Sequence, residues 1–320
     1  MKPIPSTEER VWAVLAHLSS LAFGMGLLLP IIGWAEQRRK SKYIAYQCLQ
    51  ALGYQTLGYT VWFLGYLLLI VILIILMMII AMVSAGNDSA FEASIIGFNI
   101  FFFVSIFISF GVYLLLPIVA AVASGMGRDF RYPFMGKRLA NYLEYNAEGE
   151  SLLNEDREDR WVAAMGHFSI LMAFWGMLVS ATAWILQGKR SAWLKFQSAQ
   201  ATAFHVCTLA LGFVAGVFYM IGMVAFIALT GFSPESSMSS ATGLIGIIVM
   251  FGFMLIALLI LLVIPLFHIT GQWAGYRVLK GDDYQYPIVG KLVARVIPSG
   301  AKNLPTREED PSVAANAPSG

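Results

Sequence analysis

The sequence predicts an all-α integral membrane protein in which one helical unit occurs twice in tandem. Of its 320 residues, 58% are hydrophobic and only 12% are charged, whereas a typical soluble domain is about 25% charged. Its apolar segments approach or exceed the roughly 20 residues that are needed to span a bilayer. A residue pattern that recurs in both halves of the chain predicts the tandem repeat.

Six apolar segments alternate with short polar connections. Irregular backbone exposed to lipid would leave N–H and C=O groups without partners, so we expect these segments to be helices. They also lack the period-two alternation that is typical of outer-membrane barrel strands. The segments are residues 11–35, 44–85, 93–124, 161–186, 196–230 and 241–276.

The two halves of the chain match at an offset of 150 residues. Across residues 8–51, 14 of 44 positions are identical to their counterparts, and many of these are polar or glycine, such as His17 and His167. A second block, 127–137, matches 281–291 at six of eleven positions. The predicted organisation is a first membrane repeat at 8–140, an acidic linker at 141–157, a second membrane repeat at 158–297 and a disordered tail at 298–320.

The distribution of basic residues predicts the topology. Lys and Arg are absent from two connections, 86–92 and 231–240, and occur in all the others. The positive-inside rule therefore places these two connections outside and both termini in the cytoplasm. We expect the membrane to be the bacterial inner membrane. Both ends of segment 11–35 are then cytoplasmic, so we expect segments 11–35 and 161–186 to be helical dips or hairpins. Each repeat then contains one dip and two long transmembrane helices.

Six polar residues recur at matching positions of the two repeats. Each pair of glutamines is spaced three residues apart and shares a helix face, and each histidine lies one or two turns into a dip. One interpretation is interhelical hydrogen bonding, worth about 0.6 to 2 kcal/mol per contact. The other is a polar cavity between the repeats. These candidates are His17, Gln47, Gln50, His167, Gln197 and Gln200.

A Gly-x-Asp-aromatic-x-Tyr-Pro motif closes each repeat. It is typical of a turn followed by a helix with proline among its first positions. The tyrosine can anchor the turn at lipid headgroups, or the motif can serve as a docking patch for a cytoplasmic partner. The candidate docking residues are Asp129, Tyr132, Pro133, Asp283, Tyr286 and Pro287.

The sequence argues against several classes of function. Asp, Glu, Lys and Arg are absent from segments 44–85, 93–124 and 241–276, which disfavours a proton-coupled pump. P-loop, zinc-protease and serine-elbow motifs are missing, and the four histidines lack metal-site spacing, so we predict no enzyme and no cofactor. A net charge of +2 gives no reason to expect nucleic acid. The expected partners are the lipid bilayer and other membrane proteins.

Together these motifs resemble a bacterial family of small membrane domains of unknown function. That family is similar to the chloroplast translocon subunit named Tic-twenty, so the resemblance implies a Tic-twenty-like helical unit; it does not imply protein translocation. Two mild departures are Gly166 and Phe168, where the pattern has alanine and leucine. The matching elements are 9–18, Trp34, 50–51 and 127–133 in the first repeat, and 159–168, Trp184, 200–201 and 281–287 in the second.

The sequence therefore predicts a multi-pass membrane protein that acts as a non-enzymatic scaffold, helper or channel-like component. The alternative is a facilitator or transporter of a small neutral solute, which would use a polar site between the two repeats. A facilitator requires a continuous polar path through the membrane. A scaffold instead requires packed helices and a cytoplasmic docking surface.

Overall fold

The structure is a computed structural model that describes residues 4–84, 88–149, 151–230 and 241–297. The predicted tail, 298–320, lies outside the described residues. The first repeat consists of α1 (Thr7–Leu18), a 3-10 segment (Ser19–Leu27), α2 (Leu28–Gln37), α3 (Lys42–Val83), α4 (Asp88–Gly125) and α5 (Gly136–Tyr142). The second consists of α6 (Glu155–Phe168), a 3-10 segment (Ser169–Met172), α7 (Phe174–Gln187), α8 (Ala192–Thr230), α9 (Ala241–Leu261), α10 (Ile264–Leu279) and α11 (Val289–Val296).

Four helical segments are long and apolar enough to cross a membrane, two in each repeat as the sequence predicts. The last of them contains both α9 and α10, and Pro265 lies in the first turn of α10, where its missing N–H costs no helical hydrogen bond. Much of the apolar surface of these segments is exposed, as lipid contact requires. The segments are Lys42–Val83, Phe91–Gly125, Ala192–Thr230 and Ala241–Leu279.

The segment before the long helices of the first repeat is a helical hairpin. Its two ends meet, because the Ser41 hydroxyl donates a hydrogen bond to the Glu9 carboxylate. At the tip, a Cβ added to Gly26 would lie 1.9 Å from the Ser19 carbonyl oxygen, so only glycine permits this close return of the chain. The segment therefore folds back on itself as a hairpin, and the placement of both its ends on one side of the membrane stays a prediction.

The second repeat forms the same hairpin with a different tip. Gly176 approaches the Ser169 carbonyl oxygen as Gly26 approaches that of Ser19, again with 1.9 Å to an added Cβ. The Ser169 hydroxyl closes the turn by donating to the carbonyl oxygens of Gly166 and Gly176, at 2.9 and 3.0 Å. The repeated Ser and Gly positions thus have a geometric reason in both copies.

The hairpins cover the polar first turns of the long helices and also join the repeats. Helix α1 packs against α3 and α4, and α6 packs in the same way against α8 and α10. Between repeats, α2 contacts α7 and α3 contacts α6. The polar residues Gln47, Gln50 and Gln55 on α3 are at most 2% exposed as a result.

The two repeats differ in how their long helices pair. Helices α8 and α9 pack closely together, whereas α3 and α4 make far fewer contacts with each other. In the first repeat the α3–α4 contacts include a hydrogen bond from the Tyr54 hydroxyl to the Tyr113 carbonyl oxygen, 2.8 Å long. The space left beside α3 and α4 forms a groove.

The hairpin predicts that positions before and after it lie on the same side of the membrane. In a background without Cys48 and Cys207, we expect Glu8→Cys and Lys40→Cys to react with an impermeant thiol reagent from one side. Ser89→Cys should react only from the other side. Labelling of the first two positions from opposite sides would show that segment 11–35 crosses the membrane.

Candidate functional site

In the first repeat, His17 joins the hairpin to α3 and to the Tyr-Pro turn. Its Nε2 lies 3.0 Å from Gln47 Oε1, and its Nδ1 lies 3.0 Å from the Tyr132 hydroxyl. The amide oxygen of Gln47 can only accept, so His17 carries its proton on Nε2 and accepts the Tyr132 O–H at Nδ1. Both ring nitrogens are thereby satisfied inside a fully buried site.

The two glutamines of α3 bind the backbone of the same turn. Gln47 Nε2 donates to the Phe130 carbonyl oxygen at 3.2 Å, and Gln50 Nε2 donates to it at 3.0 Å. Gln50 Oε1 accepts the Tyr132 backbone N–H at 2.8 Å. Gln50 Nε2 also donates to Gln47 Oε1, 3.1 Å away. The glutamine amides therefore satisfy backbone groups of an irregular segment that a helix or sheet would otherwise satisfy.

The second repeat builds the same network from the equivalent residues. His167 lies 3.2 Å from Gln197 Oε1 and 3.0 Å from the Tyr286 hydroxyl. Gln197 and Gln200 donate to the Tyr284 carbonyl oxygen at 3.1 and 2.8 Å. All six candidate polar residues thus act in two separate sets. Each set lies within one repeat and not between the repeats.

The glycines of the closing motif are required by these networks. Gly127 and Gly281 have φ angles of +74° and +98°, which favour glycine. At Gly136 and Gly290, an added Cβ would lie 2.5 and 2.9 Å from the amide oxygens of Gln50 and Gln200. Gly136 and Gly290 therefore recur because the turn approaches the glutamine pair too closely to leave room for a side chain.

The candidate docking residues are divided between the interior and the surface. Tyr132 and Tyr286 are 2% exposed and stack on Tyr54 and Phe204, with ring centroids 4.2 and 3.9 Å apart. Asp129 is partly buried and accepts from Gln47 Nε2 at 3.2 Å, whereas Asp283 is exposed. Pro133 and Pro287 are exposed, and each precedes an exposed apolar residue, Phe134 and Ile288. Of the six candidates, Pro133, Pro287 and Asp283 are thus accessible to a partner.

A buried cluster of charges, which the sequence analysis did not identify, joins the two repeats. Arg38, at the end of the first hairpin, donates to Glu158 at 3.0 Å and to Asp159 at 2.7 Å. Trp34 Nε1 donates to the other oxygen of Glu158 at 3.2 Å, and the Arg38 guanidinium lies over the Trp34 ring. All four residues are less than 10% exposed.

This cluster is asymmetric although the repeats are related. Glu158 corresponds to Glu8, but Glu8 is exposed, and the counterpart of Arg38 is Gly188. The signal in the sequence was a basic connection, residues 38–42, that faces an acidic run in the first turns of α6. Pairing the two requires knowing that α2 meets α6 and α7, which one repeat alone does not indicate.

One guanidinium faces two carboxylates in this cluster, so a negative charge is left in excess. Burial raises the pKa of Glu158 to about 7, although Arg38 and Trp34 act in the opposite direction. Burial also raises the pKa of Asp159. A carboxyl whose pKa is higher in the folded state binds a proton before the unfolded chain does, so its contribution to stability falls as pH rises through about 7.

Replacing Glu158 by Gln should remove this pH dependence. Between pH 6 and pH 8 we expect the wild type to lose about 1 kcal/mol relative to E158Q, or about 3 °C in Tm. The measurement is thermal unfolding of both proteins in detergent. Taking the difference between them cancels the titration of other groups. If the stability of the wild type minus that of E158Q stays constant from pH 6 to pH 8, or increases, the assignment is contradicted.

Comparisons with known proteins identify the family. A family model described as the magnetosome magnetite crystal formation protein family matches the chain twice, at residues 8–139 and 158–293. These ranges agree with the two repeats, while the Tic-twenty-like resemblance is not confirmed by the match. Searches of curated proteins and of solved structures gave no match. The chain thus belongs to the magnetosome magnetite crystal formation protein family, as a multi-pass helical membrane protein with two copies of the family unit.

Proposed function

We propose that this protein is a non-enzymatic scaffold of the magnetosome membrane that takes part in magnetite crystal formation. The family description indicates the process, magnetite crystal formation, and the packed helical architecture favours a scaffold role. The observation that carries the scaffold role is the use of the six recurring polar residues as internal ties. His17, Gln47 and Gln50 form hydrogen bonds with one another and with the Tyr-Pro turn, as their counterparts do in the second repeat.

The proposed docking surface is the pair of turn tips. Phe134 and Ile288 are 93% and 75% exposed, each directly after the proline of its motif. Their backbone is held from inside by the buried tyrosine and the two glutamines, so the tips are presented in a fixed position. A rigid apolar tip at a membrane surface is suited to contact another membrane protein with little loss of conformational entropy.

We infer the orientation of the protein in the membrane from charge, because 86–92 and 231–240 are the two connections without Lys or Arg. We place the turn tips and both termini on the cytoplasmic side. The two connections without basic residues then face the opposite compartment, which is the lumen if the membrane is that of a magnetosome.

A second candidate, a facilitator for a small neutral solute, is favoured by one observation. A cavity of about 330 Å³ lies between the hairpin tips and is lined by Gln55, Trp62 and Trp175, among others. Gln55 Oε1 is buried and has no hydrogen-bond partner among the described residues. A neutral solute with a hydroxyl or amide donor would satisfy this oxygen.

The scaffold role is tested by complementing a deletion strain of a bacterium that forms magnetosomes. We expect Ile288→Ser to leave the protein level unchanged but to reduce crystal size toward that of the deletion strain, measured by electron microscopy. Val296→Ser is the matched control, since Val296 is 82% exposed but lies outside the motif. Full complementation by I288S would contradict docking through this turn.

Reconstitution of the purified protein into lipid vesicles separates the two candidate functions. The scaffold role predicts that vesicles containing the protein are no more permeable to glycerol than empty vesicles. Raised permeability that is lost on Gln55→Leu would support the facilitator instead.

A further inference from the structure

A groove of about 890 Å³ lies between the two repeats, beside α3. Its walls come from α3 (53–62) and α4 (109–116) of the first repeat, and its rim from the first Tyr-Pro turn, α5 and the end of α10. Because α3 and α4 make few contacts with each other, this space is not filled by protein.

The groove changes character along its length. Toward the middle of the spanning helices, its walls are side chains such as Val61, Val112 and Leu116, and its lining is mostly apolar. At the end where α5 and α10 terminate, two cations line it, Arg138 and Lys280. A groove that runs from cations at the membrane surface into an apolar channel matches the two parts of a phospholipid molecule.

The two cations are available to a ligand. Arg138 and Lys280 are exposed, and within the described residues neither forms an ion pair. The residues that line the groove include no Asp or Glu. An anion at this rim would therefore meet two positive charges that no described carboxylate neutralises, one of which, Lys280, also lies 5.5 Å from the centroid of the Tyr276 ring.

The rim also carries backbone strain that the equivalent turn of the second repeat lacks. Phe134 has φ +63°, a value that a bulky residue rarely adopts, whereas its counterpart Ile288 has φ −106°. Strained residues of this kind cluster at ligand sites. The second repeat also replaces Arg138 with Leu292, so cation and strain occur together only where the groove is present.

We propose that this groove binds one anionic phospholipid. Its phosphate lies between Arg138 and Lys280, and an acyl chain runs between α3 and α4 past Val112. A zwitterionic lipid offers no net charge to the two cations and binds more weakly. The groove shares Phe134 with a proposed docking tip, but lipid binding by the purified chain does not require the scaffold role, so the two proposals fail independently.

The test is native mass spectrometry of the full chain in detergent, titrated with phosphatidylglycerol or phosphatidylcholine of identical acyl chains. We expect one tightly held phosphatidylglycerol per chain, and at least tenfold weaker binding of phosphatidylcholine. R138Q/K280Q should weaken phosphatidylglycerol binding about 30-fold. The matched control, K137Q/K291Q, removes two exposed cations that do not line the groove and should leave the binding unchanged.

A second variant tests the apolar part with both cations intact. Val112→Trp fills the channel between α3 and α4 and should also abolish the tight binding. Three results would overturn the proposal: equal affinity for the two lipids, equal weakening by both charge variants, or no effect of V112W. A second copy of the chain or another protein that occupies the groove in place of lipid would do so as well.

Discussion

A buried imidazole that bridges a glutamine and a tyrosine is the interaction on which each repeat depends. A buried backbone segment that is neither helix nor sheet must find its hydrogen-bond partners among nearby side chains. The Tyr-Pro turn is such a segment, and His17 with Gln47 supplies its partners from the hairpin and from α3. The hairpin, the first long helix and the end of the second long helix are thereby fixed to one another. Because every member of the network is satisfied, its burial stabilises one arrangement and disfavours others.

The repeats are most alike inside and least alike where they meet. The two networks share their His–Gln, His–Tyr and Gln–backbone hydrogen bonds, and the bond from Gln47 to Asp129 is an addition in the first repeat. By contrast, Arg38 aligns with a glycine in the other copy, and Arg138 aligns with a leucine. The first difference creates the charge cluster that joins the repeats, and the second gives the groove one of its two cations. Two of the differences between the copies thus lie at the cluster and the groove. The exposed turn tips, Phe134 and Ile288, remain the surface that both copies share.

Much of this fold could be predicted from the sequence, for identifiable physical reasons. Apolar length predicts the four long helices, and the distribution of Lys and Arg predicts that the ends of the first segment meet on one side. The recurrence of His17, Gln47 and Gln50 marked them as important, and the spacing of the glutamines predicted a shared face. The sequence could not show that Tyr132 points inward, because the pattern of a turn motif does not indicate which side of it is buried. Nor could it reveal the cluster at Arg38 or the groove at Arg138, since both depend on how one repeat packs against the other.

The central claim is that His17 and Tyr132 are coupled energetically across the fold, and a double-mutant cycle tests it directly. The free energy of unfolding in detergent is measured for the wild type, His17→Phe, Tyr132→Phe and the double variant. We expect a coupling energy of about 1 kcal/mol or more, with each single variant destabilised, and the same for His167 and Tyr286. His268→Phe, a half-buried histidine outside both networks, should leave the stability within about 0.5 kcal/mol of the wild type. Additive effects, with a coupling energy near zero, would show that the imidazole bridge does not hold the repeat together.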